Sequence, residues 1–512
     1  MPGVALAPCI YFFDLRRKCY FLVRFFLLIL SNQLNPSTMK RILPVVFLLS
    51  LTTTGFAQKD KDNIIRSIDQ KEDLYSKTAM DIWSYAEVGY QEYKSSEALQ
   101  KVLADAGFKV ESGVAGIPTA FTASFGNGKP VIAILGEFDA LPGLSQAAVP
   151  EKSPIEGGIA GHACGHHLFG VASAAAAISL KDWLASSKTS GTIRFYGTPA
   201  EEGGSGKVYM VREGLFNDVD AVINWHPASV NSASPGTSLA NKTGKFRFYG
   251  IASHAAAAPE RGRSALDAVE AMDMMVNMMR EHIKEDARIH YVITNGGTAP
   301  NVVPDFAEAY YYVRHKDNDE VKDMWNRLEN AAKGAALGTD TKVEIEVTGG
   351  VYSLLPNETL AKIMQTNLEK VGGYTYTAEE KAFAEKLSTT LGKSAMSLDY
   401  TQKIIPYEMR AGSASTDVGD VSWNVPTVGL AAATWVPGTA AHSWQAVASG
   451  GTSIGVKGMM VAAKAMAITG YDLFKSPKVL EQAKAEFNAK RGTDFVYDPL
   501  LGNRPPALDY RK

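Results

Sequence analysis

Residues 161–167, Gly-His-Ala-Cys-Gly-His-His, hold three of the nine histidines in this 512-residue chain. Cys164 and His166 offer a thiolate and an imidazole at alternate positions, donors that suit zinc or a similar divalent transition metal. Two donors chelate without completing a site. On this stretch alone, a buried structural cysteine beside surface histidines and a nucleophilic Cys-His pair both stay open. A second signal is Glu201-Glu202, followed by Gly203 and Gly204. Adjacent carboxylates repel, and burial worsens the repulsion, so they need either solvent or a nearby cation. In a hydrolase one would bind metal while its neighbour takes a proton from the attacking water. His226 and His442 supply further imidazoles. The set Cys164, His166, Glu202, His226 and His442 is too large for one tetrahedral structural zinc, and it fits a two-metal site with open positions for water.

These residues need elements to carry them. Val131 to Leu135 is a continuous apolar run of the kind buried on both faces of a sheet, and it leads into Gly-Glu-Phe-Asp at 136–139. Ile193 to Tyr196 leads to Glu201-Glu202, and Ala221 to Trp225 ends at His226. Open α/β sheets place their sites at such strand ends. The spacing predicts helices over 63–85, 95–106, 171–183, 358–370 and 378–391, and closing helices near 452–470 and 476–490. A strand is expected over 426–432. The fold class is therefore α/β, a mostly parallel sheet covered by helices. Residues 244–350 change texture: a strand at 245–250, a Met-rich helix from 264 to 283, strands near 290 and at 307–314, a helix at 321–336, and a strand at 342–347. That β-α-β-β-α-β order suggests an inserted ferredoxin-like α+β unit. The Met-rich helix reads as core or an association face rather than a metal stripe.

Composition bounds the rest. A formal charge of -2 gives no pull toward nucleic acid. Residues 39–57 have a basic start, an apolar run and small residues before Gln58, the layout of a secretory signal. Residues 1–38 then read as an upstream extension from a misassigned start. Cleavage after Ala57 removes Arg16, Arg17, Lys18, Arg24, Lys40 and Arg41 against Asp14, which shifts the formal charge from -2 to -7. It also removes Cys9 and Cys19, leaving Cys164 without an intrachain partner. The expectation is soluble export, to a bacterial periplasm, with no membrane anchor.

The blocks GEFDALPG, GHACGHH, GTPAEEGG, NWHP, SHAAAAPERGRSALDA, NGGTAPNVVPDFAEAYYYVR, STDVGDVSW and AAHSWQ run in order over nearly the whole mature chain. In these the chain resembles the amidohydrolase branch of the M20 metallopeptidase family. The resemblance implies a zinc-exopeptidase-like catalytic domain in two parts, 58–243 and 351–512, interrupted by a lid and dimerisation domain over 244–350. It implies two divalent ions, zinc or manganese, held by Cys164, His166, Glu202, His226 and His442, with Glu201 as general base and Asp139 orienting a ligand. It also implies substrate contacts from His254, Asn301 and Arg314, with His254 reaching a neighbouring subunit's site. An arginine can grip a carboxylate in bidentate fashion, and imidazole and amide donors can stabilise an oxyanion. The implied activity is hydrolysis of the amide of an N-acyl or aryl-amide amino acid such as aminobenzoyl-glutamate, by a homodimer or a heterodimer with a paralogous subunit. A dipeptidase or aminopeptidase of the same metal-dependent type and a non-catalytic accessory subunit are the alternatives. His167 departs from the acidic or amide residue often found there. His162, His167, His282, His290 and His315 receive no role, and His282 and His290 are expected at the surface.

Overall fold

The computed structural model describes residues 58–512; the expected signal and the extension before it lie outside them. The chain divides into two units at Asn63 and Ile64. Of the first, residues 58–63 are described and are helical. The second carries every described strand.

Its strands are β1 (Lys109–Ser112), β2 (Phe121–Asn127), β3 (Val131–Gly136), the two-residue β4 (Leu141–Pro142) and β5 (Ala160–Gly161), β6 (Gly191–Gly197), β7 (Ala221–Ala228), β8 (Ala240–Tyr249), β9 (Arg288–Asn295), β10 (Phe306–His315), β11 (Lys342–Val351) and β12 (Thr427–Ala433). A six-stranded sheet has the order β1-β2-β6-β3-β7-β12. The neighbours β6, β3, β7 and β12 run parallel, while β1 and β2 add an antiparallel edge. Every residue of β3 is buried, as a strand covered on both faces requires.

The helices are α1 (Glu72–Tyr85), α2 (Tyr93–Asp105), α3 (His166–Ser187), α4 (Gly206–Arg212), α5 (Ala265–Met279), α6 (Asn318–Thr339), α7 (Glu358–Val371), α8 (Ala378–Ser388), α9 (Val418–Ser422), α10 (Trp444–Gly450), α11 (Ser453–Lys475) and α12 (Pro477–Arg491). Helix α3 is apolar nearly all round and sits in the main core, with Leu168, Phe169, Ala172 and Ile178 buried. Burying a leucine, isoleucine or phenylalanine there contributes about 1.5–3 kcal/mol each. The helix expected to begin near 171 starts instead at His166, so two histidines of the Cys-His stretch occupy its first turn. The long helix expected over 63–85 is broken by a turn at 70–71.

A second, four-stranded antiparallel sheet has the order β11-β8-β10-β9, with α5 and α6 on one face. Along β10, Ala307, Ala309, Tyr311 and Val313 point into the helices, and Glu308, Tyr310, Tyr312 and Arg314 occupy the other face. The period of two decides which residues can meet a ligand. The strand expected to start at 245 begins at Ala240, and β11 continues past 347 through a bulge before Gly349. After α12, residues 492–512 run without a helix or strand.

Candidate metal centre

Three adjacent parallel strands supply the first residues. Glu137 and Asp139 follow β3, Glu201 and Glu202 follow β6, and His226 lies inside β7, which runs on to Ala228 instead of ending at Trp225. Cys164 stands just before α3, and Gly165 caps that helix with φ +75. A side chain at 165 would also meet Pro227 Cβ at 2.7 Å, so a left-handed backbone and a close approach together require glycine. The His442 loop is tied to this stretch by its own N–H, which donates to the Ala163 carbonyl at 2.9 Å.

The donors converge in three overlapping groups: Cys164, His166 and His226; Cys164, Glu202 and His442; Glu137, His166 and Glu201. Within each, the ligand atoms lie within 4.8 Å of one another. His226 Nδ1 donates to the Pro227 carbonyl at 2.8 Å, leaving the Nε2 lone pair facing Cys164 Sγ at 3.4 Å. His166 Nδ1 donates to Asp139 Oδ1 at 2.9 Å, which turns Nε2 into the group. A carboxylate behind an imidazole is the usual way to fix a metal-binding tautomer. Asp139 Oδ2 meanwhile accepts from the Glu202 N–H at 2.9 Å. His442 Nε2 lies 3.1 Å from Glu202 Oε1, and its ring is half exposed at the rim.

Carboxylates crowd the group. Burial pushes the Glu201 carboxyl well above the carboxylate range, and the charges of Glu137, Glu202 and Asp417 add to the shift. Burial raises Glu137 too, despite Lys207 beside it. Burial opposes a proton on His166, yet Cys164, Asp139 and Glu137 hold its value well above the ordinary one. Burial takes His226 down to about 4 and pushes the Cys164 thiol up. Glu137 Oε2, His166 Nε2 and Glu202 Oε1 are buried and make no well-aligned hydrogen bond, although His166 Nε2 stands 3.1 Å from Glu137 Oε2 and His442 Nε2 3.1 Å from Glu202 Oε1. Buried carboxylate, imidazole and thiol atoms crowded within 4.8 Å and poorly satisfied by one another fit divalent cations, which would replace the protons.

Sequence reasoning missed Glu137, Lys207 and Asp417. The fully buried Lys207 ammonium lies 2.7 Å from Glu137 Oε1 and 2.7 Å from Asp417 Oδ1. A lysine in an apolar helical stretch after paired glutamates was the available signal. His167 is buried, with Nε2 donating to the Gly450 carbonyl at 3.0 Å and its ring 4.9 Å from that of His162. His282 and His290 are exposed, as expected.

The arrangement can hold divalent ions beside a carboxylate able to take a proton from water. Residues 133–443 match Peptidase family M20/M25/M40. The chain is 42% identical to a p-aminobenzoyl-glutamate hydrolase subunit of Escherichia coli (strain K12), over 86% of this chain and 97% of that one. The chain belongs to the M20 family. It is a metal-dependent hydrolase of carbon–nitrogen bonds. It is also 30% identical to the Xaa-Arg dipeptidase of Mus musculus, over 83% of this chain and 91% of that one. Among solved structures, a dinuclear metal binding peptidase from the M20 family of Bacillus subtilis shares the fold, with TM-score 0.54 and 16% identity, covering 80% of this chain and 99% of that chain.

The three remaining sequence candidates do not join this M20 centre as one group. His254 bridges Val302, and Ala255 N–H donates to the Asn301 carbonyl at 3.0 Å, so His254 and Asn301 sit together beyond the Tyr249/Phe306 end of the small sheet. Both are exposed. His254 Nδ1 accepts from the N–H groups of Ala256 and Ala257 at 3.2 and 3.1 Å, which leaves Nε2–H as a free donor. Arg314 pairs in register with Asn241 at the opposite end of β10, about 26 Å along the strand at 3.3 Å per residue. Its Nε is buried without a partner, and its guanidinium lies 5.4 Å from the Tyr312 ring centroid.

Proposed function

We propose that this chain hydrolyses the amide of an N-acyl or aryl-amide amino acid, with aminobenzoyl-glutamate as the type substrate named for its bacterial relative. The observation that carries the reading is the set of buried, poorly satisfied atoms of Glu137, His166 and Glu202 meeting Cys164, His226 and His442 beside Glu201. Cys164, His166 and His226 would hold one divalent ion and Cys164, Glu202 and His442 a second, zinc or manganese in each. When bound, such ions supply Lewis acidity to the amide carbonyl and lower the pKa of water from about 15.7 toward about 7.

The chain's own residues do the rest. Asp139 keeps the His166 tautomer. Glu201 takes a proton from the attacking water on a carboxylate oxygen and returns it to the leaving nitrogen. Arg314 binds the substrate carboxylate in bidentate fashion, and His254 Nε2–H with the Asn301 amide donates to the oxyanion. We assign residues 244–350 as a lid through which two subunits associate. Two observations support that assignment: Met274 and Met278 of α5 are 62% and 64% exposed, and β9 is an edge strand that exposes Val292 and Ile293. Exposed apolar side chains on an unpaired strand edge suit a partner. The same lid in a second copy, or in a paralogous chain of the kind implied by a relative that is itself one subunit of its enzyme, would bring His254 and Asn301 to the Arg314 end. Export of the chain from residue 58 onward completes the reading.

The test is hydrolysis of an N-acyl amino acid panel by wild type and Glu201→Gln, with metal content measured on both. The expected result is a kcat lower by about 10²–10⁴-fold in the variant at unchanged metal content. Activity confined to substrates with a free amine would replace the reading with a dipeptidase.

A further inference from the structure

The turn that carries Glu201 and Glu202 is strained. Ala200 and Ser205 take left-handed backbone conformations at φ +57 and +60, and Gly203 lies at +93. Such a turn persists only where its surroundings hold it, and here four peptide groups are gripped by side chains. Ala200 N–H donates to Glu92 Oε1 at 2.8 Å, Glu202 N–H to Asp139, and Tyr90 Oη–H to the Gly204 carbonyl at 2.7 Å. The fourth group is the Glu202 carbonyl, and it accepts twice: from Tyr510 Oη–H at 3.0 Å and from Arg511 Nη2 at 2.9 Å.

Both donors come from the irregular segment after α12, which reaches the turn by a fixed course. Arg212 Nη1 donates to the Arg504 carbonyl at 2.8 Å, and Gln91 Nε2 to the Leu508 carbonyl at 2.8 Å. The Tyr510 ring meets that of Tyr90 edge-on, with centroids 5.5 Å apart. Position 89 leaves room for the phenol: a Cβ there would stand 2.1 Å from Tyr510 Oη.

We propose that Tyr510 and Arg511 are positioning residues, a clamp that fixes the Glu202–Gly203 peptide, directly after the general base and its neighbouring ligand. The proposal rests on the roles assigned above to Glu201 and Glu202. The carbonyl they hold belongs to the second of those two adjacent carboxylate residues, so losing both donors lets both carboxylates drift. Displacements near 1 Å in a catalytic constellation cost on the order of 100-fold in rate.

Because the donors share one acceptor, the test is a double-mutant cycle. Tyr510→Phe and Arg511→Gln each leave one donor and lower kcat less than about 5-fold. The double variant lowers kcat by about 50-fold with KM changed less than about 3-fold, and Arg511→Lys in the Tyr510→Phe background restores most of it. Independently of turnover, Zn²⁺ titration of the chelator-stripped double variant shows the weaker of two sites loosened about 10-fold, the scale of a lost outer partner. Arg212→Gln frees the Gly502 and Arg504 carbonyls and leaves both donors to the Glu202 carbonyl in place; it lowers the melting temperature and lowers kcat far less than the double variant. A double variant that keeps both kcat and zinc affinity overturns the proposal, as does an Arg212→Gln variant that loses kcat equally. Failure of the wild type to hydrolyse any N-acyl amino acid overturns the amidohydrolase reading instead, and the zinc titration still decides the clamp.

Discussion

The two sheets treat their chemical residues in opposite ways. The six-stranded sheet brings Glu137, Asp139, Glu201, Glu202 and His226 to neighbouring strand ends, where α3 and the His442 loop add Cys164, His166 and His442. The four-stranded sheet keeps Arg314 at one end and sends His254 and Asn301 to the other. Parallel strands converge chemistry on one edge because every strand ends on the same side, whereas antiparallel strands alternate their ends. A metal centre can therefore be complete within one chain, while the proposed anchor Arg314 and the proposed oxyanion donors His254 and Asn301, at opposite ends of an antiparallel sheet, would meet only across two chains.

The sharpest way to break that contrast is complementation. Arg314→Ala and His254→Ala are each expected to lose most turnover. Mixing the two as dissociated and reassembled dimers should restore about a quarter of wild-type activity, since half the dimers are mixed and each mixed dimer has one intact site. No recovery on mixing would place both residues in the same chain's site.

The metal edge has its own dependence on a buried charge. Lys207→Met strips the cation from Glu137 and Asp417, and breaking a buried pair from one side costs about 3–5 kcal/mol. Chemical denaturation should report a loss of that size. A variant within about 1 kcal/mol of wild type would mean water reaches those carboxylates.

A smaller effect separates this edge from its surroundings by pH. Asp420 is fully buried, accepting from Tyr352 N–H at 2.8 Å and from Tyr497 Oη–H at 2.7 Å, and burial raises its carboxyl to about 7. In the unfolded chain the group ionises near 4, so between about 4 and 7 the folded state binds more protons. Its contribution favours folding most below about pH 4 and declines as pH rises to about 7. Asp420→Asn should therefore gain melting temperature relative to wild type on going from about pH 4 to about pH 8. A difference that stays constant across that range would contradict the assignment.

What the sequence disclosed follows the same division. Apolar runs ending in polar residues marked β3, β6 and β7, and the β-α-β-β-α-β order was readable from alternation and helical spacing. Local pattern could not disclose the Lys207 network, because its partners Glu137 and Asp417 lie 70 and 210 residues away in the chain. It ended the strand from Ala221 at Trp225, with His226 just beyond, yet β7 runs on through His226 and Pro227 with His226 opposite Ala431. The segment after α12 has no hydrophobic period at all, and its contacts with the Glu202 carbonyl depend wholly on tertiary structure.

The most direct measurement is metal stoichiometry on protein produced from Gln58 onward, stripped with chelator and titrated with zinc or manganese. Two ions per chain are expected, falling in Cys164→Ala, whose thiolate serves both groups, with hydrolysis of an N-acyl amino acid returning as the ions are added. A chain that binds no divalent ion after reconstitution would contradict the account at its centre.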